Sequence, residues 1–400
     1  MRDDERGDAD AQELYDGRDQ SWVKHFILRK YLERFARIVG SKWSPITYVD
    51  GFSGPWNTQS SAFKDSSFAI ALDELRRARD TLKAREIELG IRCFFIEKNR
   101  AAYQHLHDFA KTTSDADVCT KNCEFEEAIP EILRFIRAGG RSGFPFIFID
   151  PTGWTGFAMD EIRPLLELEP GEVLINFMTK YIRRFVNSPQ EVHRESFERL
   201  FGSGQIREEI IGLAKQDRED RLVRAYVQNV KRTGRFKHVC TAVVLNPLSA
   251  TTHFHLIYAT RGLKGVEVFK DAEQSAMDEM EARRANAQRH NRVERSGQNE
   301  LVLFGRRDDP KSDYYEQLRD RYLTKAREGL RRMLEQKVRV LYDDAWAFAL
   351  AAPLTWEQDV KRWLADWKKE GLLTIEGLGD RERVPKLRQG VNLVWRAGQR

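Results

Sequence analysis

Three acidic residues close apolar runs, and a fourth stands in a polar cluster after a short strand. Asp50 closes "ITYVD" and is followed by Gly51, Phe52, Ser53 and Gly54; Glu97 closes "IRCFFIE". Glu124 follows "DVCTKNC", and Asp150 closes "FPFIFID", with Pro151 next. Each suggests a piece of chemistry. A glycine-bearing turn lets backbone approach a ligand closely. A fixed carboxylate at Glu97 can accept hydrogen bonds from two ribose hydroxyls, and Glu124 from an exocyclic amino group. Alone, each acid reads equally as a solvated loop residue, and the turn as ordinary strand-end punctuation. Together they favour a nucleoside ligand, because a parallel sheet binds ligands at its carboxyl edge.

The loop separates two ligand classes. A dinucleotide fold opens its helix with G-x-G-x-x-G, whose amides hold a pyrophosphate. Here Gly51 and Gly54 lead into Pro55, and the acid of the second strand comes well beyond the ~20 residues usual for such folds. S-adenosylmethionine has no phosphate; its amino-acid end and sulfonium call for close backbone and a carboxylate. "DPTGW" (150–154) resembles the D-P-P-[YFW] site of amino-methyltransferases. There the carboxylate and the next carbonyl take the amine's hydrogens, and the aromatic ring stacks on a flipped base. Trp154 stands one position later than in that pattern, and a tight Asp-Pro turn with a core tryptophan is the alternative.

The elements that must hold these residues alternate. A helix is expected over 21–39 behind Ser21, then strands at 45–50, 91–97, 117–122, 144–149 and 172–178 with helices between them. Strands apolar along their whole length predict an α/β fold with a mostly parallel sheet, helices on both faces. "HVCTAVVLNP" and "THFHLIYATR" predict an antiparallel edge pair, with a helical insertion at 186–237 placed over the ligand crevice. Residues 1–20 read as a flexible lead-in, 21–273 as the α/β domain, and 274–312 as a linker or exposed helix. Residues 313–400 read as helices followed by two strands and a basic loop, a winged-helix pattern.

In order along the chain, "KHFILRKYL", "YVDGFSG", "SSFAIAL", "FFIEKN", "NCEFEEAI", "FIDPTGW" and "THFHLIYATRGLKGVEVFKDA" resemble the three-Cys-motif partner proteins, TcmP. The resemblance covers roughly residues 20–275, and the tail is similar as well. It implies a class I, Rossmann-like methyltransferase scaffold in a bacterial protein paired with a phage-associated, radical-SAM-like protein that carries the three cysteines. Carried over, Asp50, Gly51, Phe52, Ser53 and Gly54 hold the methionine part of S-adenosylmethionine and Glu97 the ribose. Glu124 takes the adenine, with Lys98 and Cys123 alongside, and Asp150, Pro151 and Trp154 take the acceptor. Lys24 and His25 fall where related enzymes carry basic residues near the cofactor. A surface pair is the alternative there.

Lys180, Arg183 and Arg184 after the fifth strand, and Lys386 and Arg388 in the basic loop 380–388, are candidates for substrate phosphates. A solvated helix face is the alternative for the first three. His253 and His255 alternate within one strand and share a face; lacking a third ligand, they read as core or edge histidines, with no metal. Cys93, Cys119, Cys123 and Cys240 form no framework, which suits a reducing cytoplasm. No run approaches the ~20 apolar residues of a membrane span. The formal net charge of +5 falls wholly after residue 273. The reading is a methyltransferase acting on a nucleic-acid amine. Its rivals are a non-catalytic partner or sensor on the same scaffold and a winged-helix DNA-binding regulator, whose recognition helix (355–370) carries three tryptophans that read as core.

Overall fold

Four apolar runs and the short, more polar "DVCTK" become five parallel strands. The computed structural model describes residue 15 and residues 18–54, 63–186, 188–202, 204–210, 212–296, 313–379, 382 and 384–396. The expected lead-in lies mostly outside these, as do residues 297–312 and part of the basic loop. The strands are β1 (Ile46–Asp50), β2 (Ile91–Ile96), β3 (Asp117–Lys121), β4 (Phe144–Ile149), β5 (Glu172–Phe177), β6 (His238–Leu245) and β7 (Thr252–Thr260). Between and around them run helices α1 (Asp19–Gly40), α2 (Ser67–Lys83), α3 (Arg100–Thr112), α4 (Phe125–Ala138) and α5 (Met159–Leu166). Then come α6 (Thr179–Phe185), α7 (Glu191–Phe201), α8 (Gln205–Ile210), α9 (Lys215–Thr233) and α10 (Leu263–Ser296).

The sheet order is β3-β2-β1-β4-β5-β7-β6, with β7 antiparallel to both neighbours. This is a Rossmann-like α/β sheet whose chain reverses direction of travel between β1 and β4, the switch point at which such sheets bind ligands. Strands β1, β4 and β5 are buried at every position, because one apolar layer lies on each face. One layer is built on α1, α2 and α10; the other is built on α4, α5, α7 and α9. Among the described residues no helix is long and apolar enough to cross a membrane.

Two helices depart from expectation. Helix α1 starts at Asp19 rather than behind Ser21 and has no side-chain cap; Arg18, just before it, is held by Asp65 at 2.5 Å. Helix α10 runs straight across the boundary expected at residue 273, and its part after that point is neither linker nor fully exposed. Val266, Phe269, Glu273, Met277, Met280 and Arg284 are all buried and follow one helical stripe. Glu273 and Arg284 hide that stripe from a hydrophobicity pattern. Each is paired, Glu273 with Lys270 and with the Leu354 N–H (3.0 Å), Arg284 with Glu281 (2.6 Å).

The C-terminal part contains α11 (Asp313–Lys337), β8 (Arg339–Leu341), α12 (Tyr342–Leu350), α13 (Glu357–Lys369), β9 (Leu373–Glu376) and β10 (Asn392–Trp395). Its strands form an antiparallel sheet in the order β8-β10-β9. Trp356, Trp363 and Trp367 are buried, Trp367 edge-on to Trp395 at 5.4 Å. This core is continuous with the first layer of the large sheet. Lys270 Nζ and the Thr241 N–H donate across the junction to the Ala352 and Ala351 carbonyls, at 2.8 and 3.1 Å.

Candidate functional site

Strand register sets the acids on one rim. Asp50 is level with Phe95 of β2 and Phe148 of β4. Glu97 and Asp150 each stand two residues further on, beside the loop that follows β1. Glu124 precedes α4, in the turn after β3. The rim is shared, but the surroundings of the four differ.

Asp50 is fully buried. Its carboxylate accepts from the Phe52 N–H (3.0 Å) and from Ser67 Oγ (2.6 Å). Burial pushes its pKa up to about 6, against the pull of those two hydrogen bonds. Ser53 Oγ donates to the Asp50 carbonyl (2.9 Å) and its N–H to the Ile96 carbonyl (2.7 Å). These bonds fix the turn and tie it to α2. A Cβ on Gly51 would lie 2.7 Å from the Phe125 ring, so packing against the first residue of α4 demands a glycine there. Phe52 lies against the same ring, at 5.4 Å.

Glu97 is buried, and its Oε1 accepts from the Asn99 N–H at 2.5 Å. Glu124 is half exposed and sits 3.4 Å from Lys98 Nζ. Cys123 is partly buried nearby, a free thiol that burial pushes upward in pKa.

Asp150 opens onto a cleft of about 230 Å³ whose walls include Arg18, Lys24, His25, Asn176 and His253. Lys24 Nζ donates to Asp150 Oδ2 at 2.5 Å, and Asn176 Nδ2 donates to Asp150 Oδ1 at 2.7 Å. A carboxylate only accepts, so this second bond fixes which way the Asn176 amide points. Its carbonyl Oδ1 is then buried without a hydrogen-bond partner. Such an orphan costs roughly 1–3 kcal/mol, which a ligand N–H placed there would recover.

The cleft's imidazoles are neutral at pH 7. Burial, then Lys24 and Arg29, lowers His25 well below its ordinary value, and its Nδ1 shares a 2.8 Å hydrogen bond with the Tyr15 hydroxyl. Burial, then Lys180, Lys24 and Arg183, lowers His253 to about 4.

Of the residues expected in the site, Lys24, His25, Phe52, Gly54, Asp150 and Pro151 line this cleft. Asp50, Gly51 and Ser53 shape the turn beside it, while Glu97, Lys98, Cys123 and Glu124 do not line it. The structure places other expected residues elsewhere. The Trp154 ring is buried against His193 and Phe197, at 6.2 and 6.3 Å, in the apolar layer of α7 and away from the Asp150 cleft.

Arg183 is not available for a phosphate: it is ion-paired with Glu219 and donates to the Thr252 carbonyl at 3.0 Å. Lys180 and Arg184 are exposed beside it. Lys386 pairs with Glu382 at 2.9 Å, and the Arg388 N–H donates to Asp343 at 3.0 Å, far along the chain from the cleft. Among the described residues, none of the 186–237 insertion lines the cleft. No group of three or more His, Cys, Asp or Glu among the described residues is placed to hold a metal.

Asn176 and His253 were not expected in the site. A lone asparagine in the apolar strand "EVLINF" was the available signal, since buried polar residues are the informative ones.

No family model matches the chain, and no curated protein does. Among solved structures, a Legionella pneumophila protein of the DUF519 family model aligns over 59% of this chain and 84% of its own, at 13% identity and a TM-score of 0.34. A Thermobifida fusca protein provisionally assigned as a methyltransferase aligns over 66% and 90%, at 14% identity and 0.31. Loganic acid methyltransferase with SAH aligns over 71% and 90%, at 8% identity and 0.30. Likenesses this remote say nothing of what this chain binds. Its own strand order, with a single antiparallel strand between β5 and β6, makes it a methyltransferase-like Rossmann fold.

Proposed function

We propose that the protein is an S-adenosylmethionine-dependent methyltransferase acting on an exocyclic amine of a nucleic-acid base. The observation that carries the reading is the Lys24–Asp150–Asn176 cluster at the carboxyl edge, with its orphaned amide carbonyl. Two acceptors side by side suit a donor with two hydrogens. An amine that gives one hydrogen to Asp150 and one to Asn176 Oδ1 keeps its lone pair free to attack.

The chemistry of the residues fits the cofactor. Glu97, a buried carboxylate at the end of β2, would take the ribose hydroxyls, and Asp50 holds the Phe52–Gly54 turn against which the amino-acid end would rest. Bound there, the cofactor supplies a methyl group on a sulfonium. The chain itself supplies alignment and exclusion of water. At about 230 Å³ the cleft is below the roughly 300–1,000 Å³ of whole small-molecule sites, so it suits the reacting end of a ligand.

On the same reading the chain is a TcmP-type protein partnered by a radical-SAM-like three-Cys-motif protein. The C-terminal unit is then a winged helix that docks the nucleic acid. The order helix, strand, two helices, two strands supports this. Because its tryptophans are buried, nucleic acid would meet the exposed Lys386 and Arg388 loop instead.

The test is transfer of labelled methyl from S-adenosylmethionine to DNA and RNA. Asp150→Ala is expected to lower transfer on the order of 10²–10⁴-fold and to leave cofactor affinity nearly unchanged. Glu97→Ala is expected to weaken the cofactor at least tenfold. Full turnover in Asp150→Ala would sink the acceptor assignment. One observation favours a second reading, a non-catalytic partner: Lys24 already occupies the Asp150 carboxylate. Absence of heat on titrating S-adenosylmethionine would favour it.

A further inference from the structure

A second recess, of about 670 Å³, lies between the large sheet and the C-terminal unit. Its volume falls within the range of small-molecule sites. The floor is the sheet edge, with Val239 and Thr241 of β6 and His255 of β7; α9 and α11 are the walls. Phe348 of α12, a large apolar side chain left 45% exposed, stands at the lip.

The mouth is cationic. Arg224, Gln228 and Lys231 follow one another by four and three positions along α9, so one exposed face carries all three. Arg332 and Gln336 repeat the spacing on α11. None of the three cations is ion-paired with a described residue. The one acid in the lining, Asp220, is already held by Arg321 (2.9 Å) and Lys325 (2.6 Å). Below the mouth, Val223, Val227 and Met333 give apolar walls, continued at the lip by Phe348. The floor is uncharged: burial, then Arg183 and Arg321, lowers His255 to about 3.

We propose that this recess binds a nucleoside phosphate, its base between the apolar walls and its phosphate on Arg224, Lys231 and Arg332. A carboxylate needs one cation, whereas three around one mouth answer a group that carries more than one negative charge. The amides of Gln228 and Gln336 each offer a donor and an acceptor, as a base edge or sugar requires and an acyl chain does not. The site stands apart from the methyl-transfer reading, although the two recesses adjoin. His253 of the cleft and His255 of this floor are two residues apart on one face of β7, about 7 Å.

Calorimetry on the full chain tests it, with the four nucleoside monophosphates, their nucleosides, inorganic phosphate and 5′-phosphorylated trinucleotides as probes. At least one monophosphate is expected to bind, its nucleoside and inorganic phosphate each at least tenfold more weakly. The exposed triple variant Arg224→Ala/Lys231→Ala/Arg332→Ala is expected to lose that binding at least tenfold, and so is Val227→Trp, which fills the slot without changing charge. Glu97→Ala is expected to stay within twofold of wild type, which separates this site from the candidate cofactor site. Binding of trinucleotides alone, lost in the same variants, would assign the site to a strand end and support it. Silence from every nucleotide, wild-type affinity in the triple variant, or phosphate binding as tightly as nucleotide would overturn it.

Discussion

Glu172 and Asp150 are both shielded carboxylates on the same sheet, at opposite edges and in opposite company. Glu172 opens β5 at the amino edge. It accepts from the Tyr31 hydroxyl and from Thr260 Oγ1 (2.7 Å), and Tyr31 lies 2.7 Å from the Tyr258 hydroxyl. All its partners are neutral, rigid and buried. A Cβ on Gly265 would meet the Tyr258 hydroxyl at 2.2 Å, so even the next helix gives way to this network. Asp150 is held instead by a long, flexible ammonium and by an amide with an unused carbonyl. A carboxylate saturated by fixed neutral donors is structural. One held by a displaceable cation beside an orphaned acceptor is poised to exchange partners with a ligand.

The contrast can be broken by stability measurements. Glu172→Ala leaves two buried hydroxyls without their acceptor and is expected to cost about 2–4 kcal/mol in urea unfolding. A loss below about 1 kcal/mol would remove the distinction.

Asp50 sharpens the contrast, being buried like Glu172 yet set at the rim like Asp150. Its carboxyl titrates near 6 when folded, above its ordinary 3.8. Between pH 4 and 6 the folded state therefore holds a proton that the unfolded state lacks. Its contribution to stability is fully present below about 4 and is lost as pH rises through 6. Asp50→Asn is expected to gain on wild type by about 2–3 kcal/mol from pH 4 to pH 7. A pH-independent difference would show that burial is not what governs Asp50.

The smallest effect is expected at Lys24. Its pair with Asp150 is only 11–12% exposed but borders the cleft, where water can reach the carboxylate once the ammonium is gone, so Lys24→Met should cost about 1–2 kcal/mol of stability. A loss as large as that of Glu172→Ala would make the pair structural.

Strands β1, β2, β4 and β5 are legible because burial on both faces leaves a near-continuous apolar run, whereas the edge strand β3, with no buried residue, is legible only from its place in the alternation; the acids at the strand ends follow from order alone. What those acids do was less legible. Asp50 and Asp150 look alike in sequence, and only Ser67, Lys24 and Asn176, brought in from other elements, tell them apart. The strand β8 and helix α12 in "RVLYDDAWAFAL" carry little sequence signal because β8 is three residues long and runs directly into the helix. The stripe of α10 is masked because Glu273 and Arg284 are buried in pairs. Trp154 matches the aromatic of D-P-P-[YFW] only by analogy, at a different spacing, and its ring lies in another layer.

Phe125 acts as a wedge between the loop after β1 and the turn after β3. Adding a single methyl at position 51 would lever the ring out, and the start of α4 would swing with it. The distance between the two loops is thus set by an aromatic plate rather than by anything they hold. Any change in the shape of this rim must come through the flanking side chains, because the gauge itself is locked.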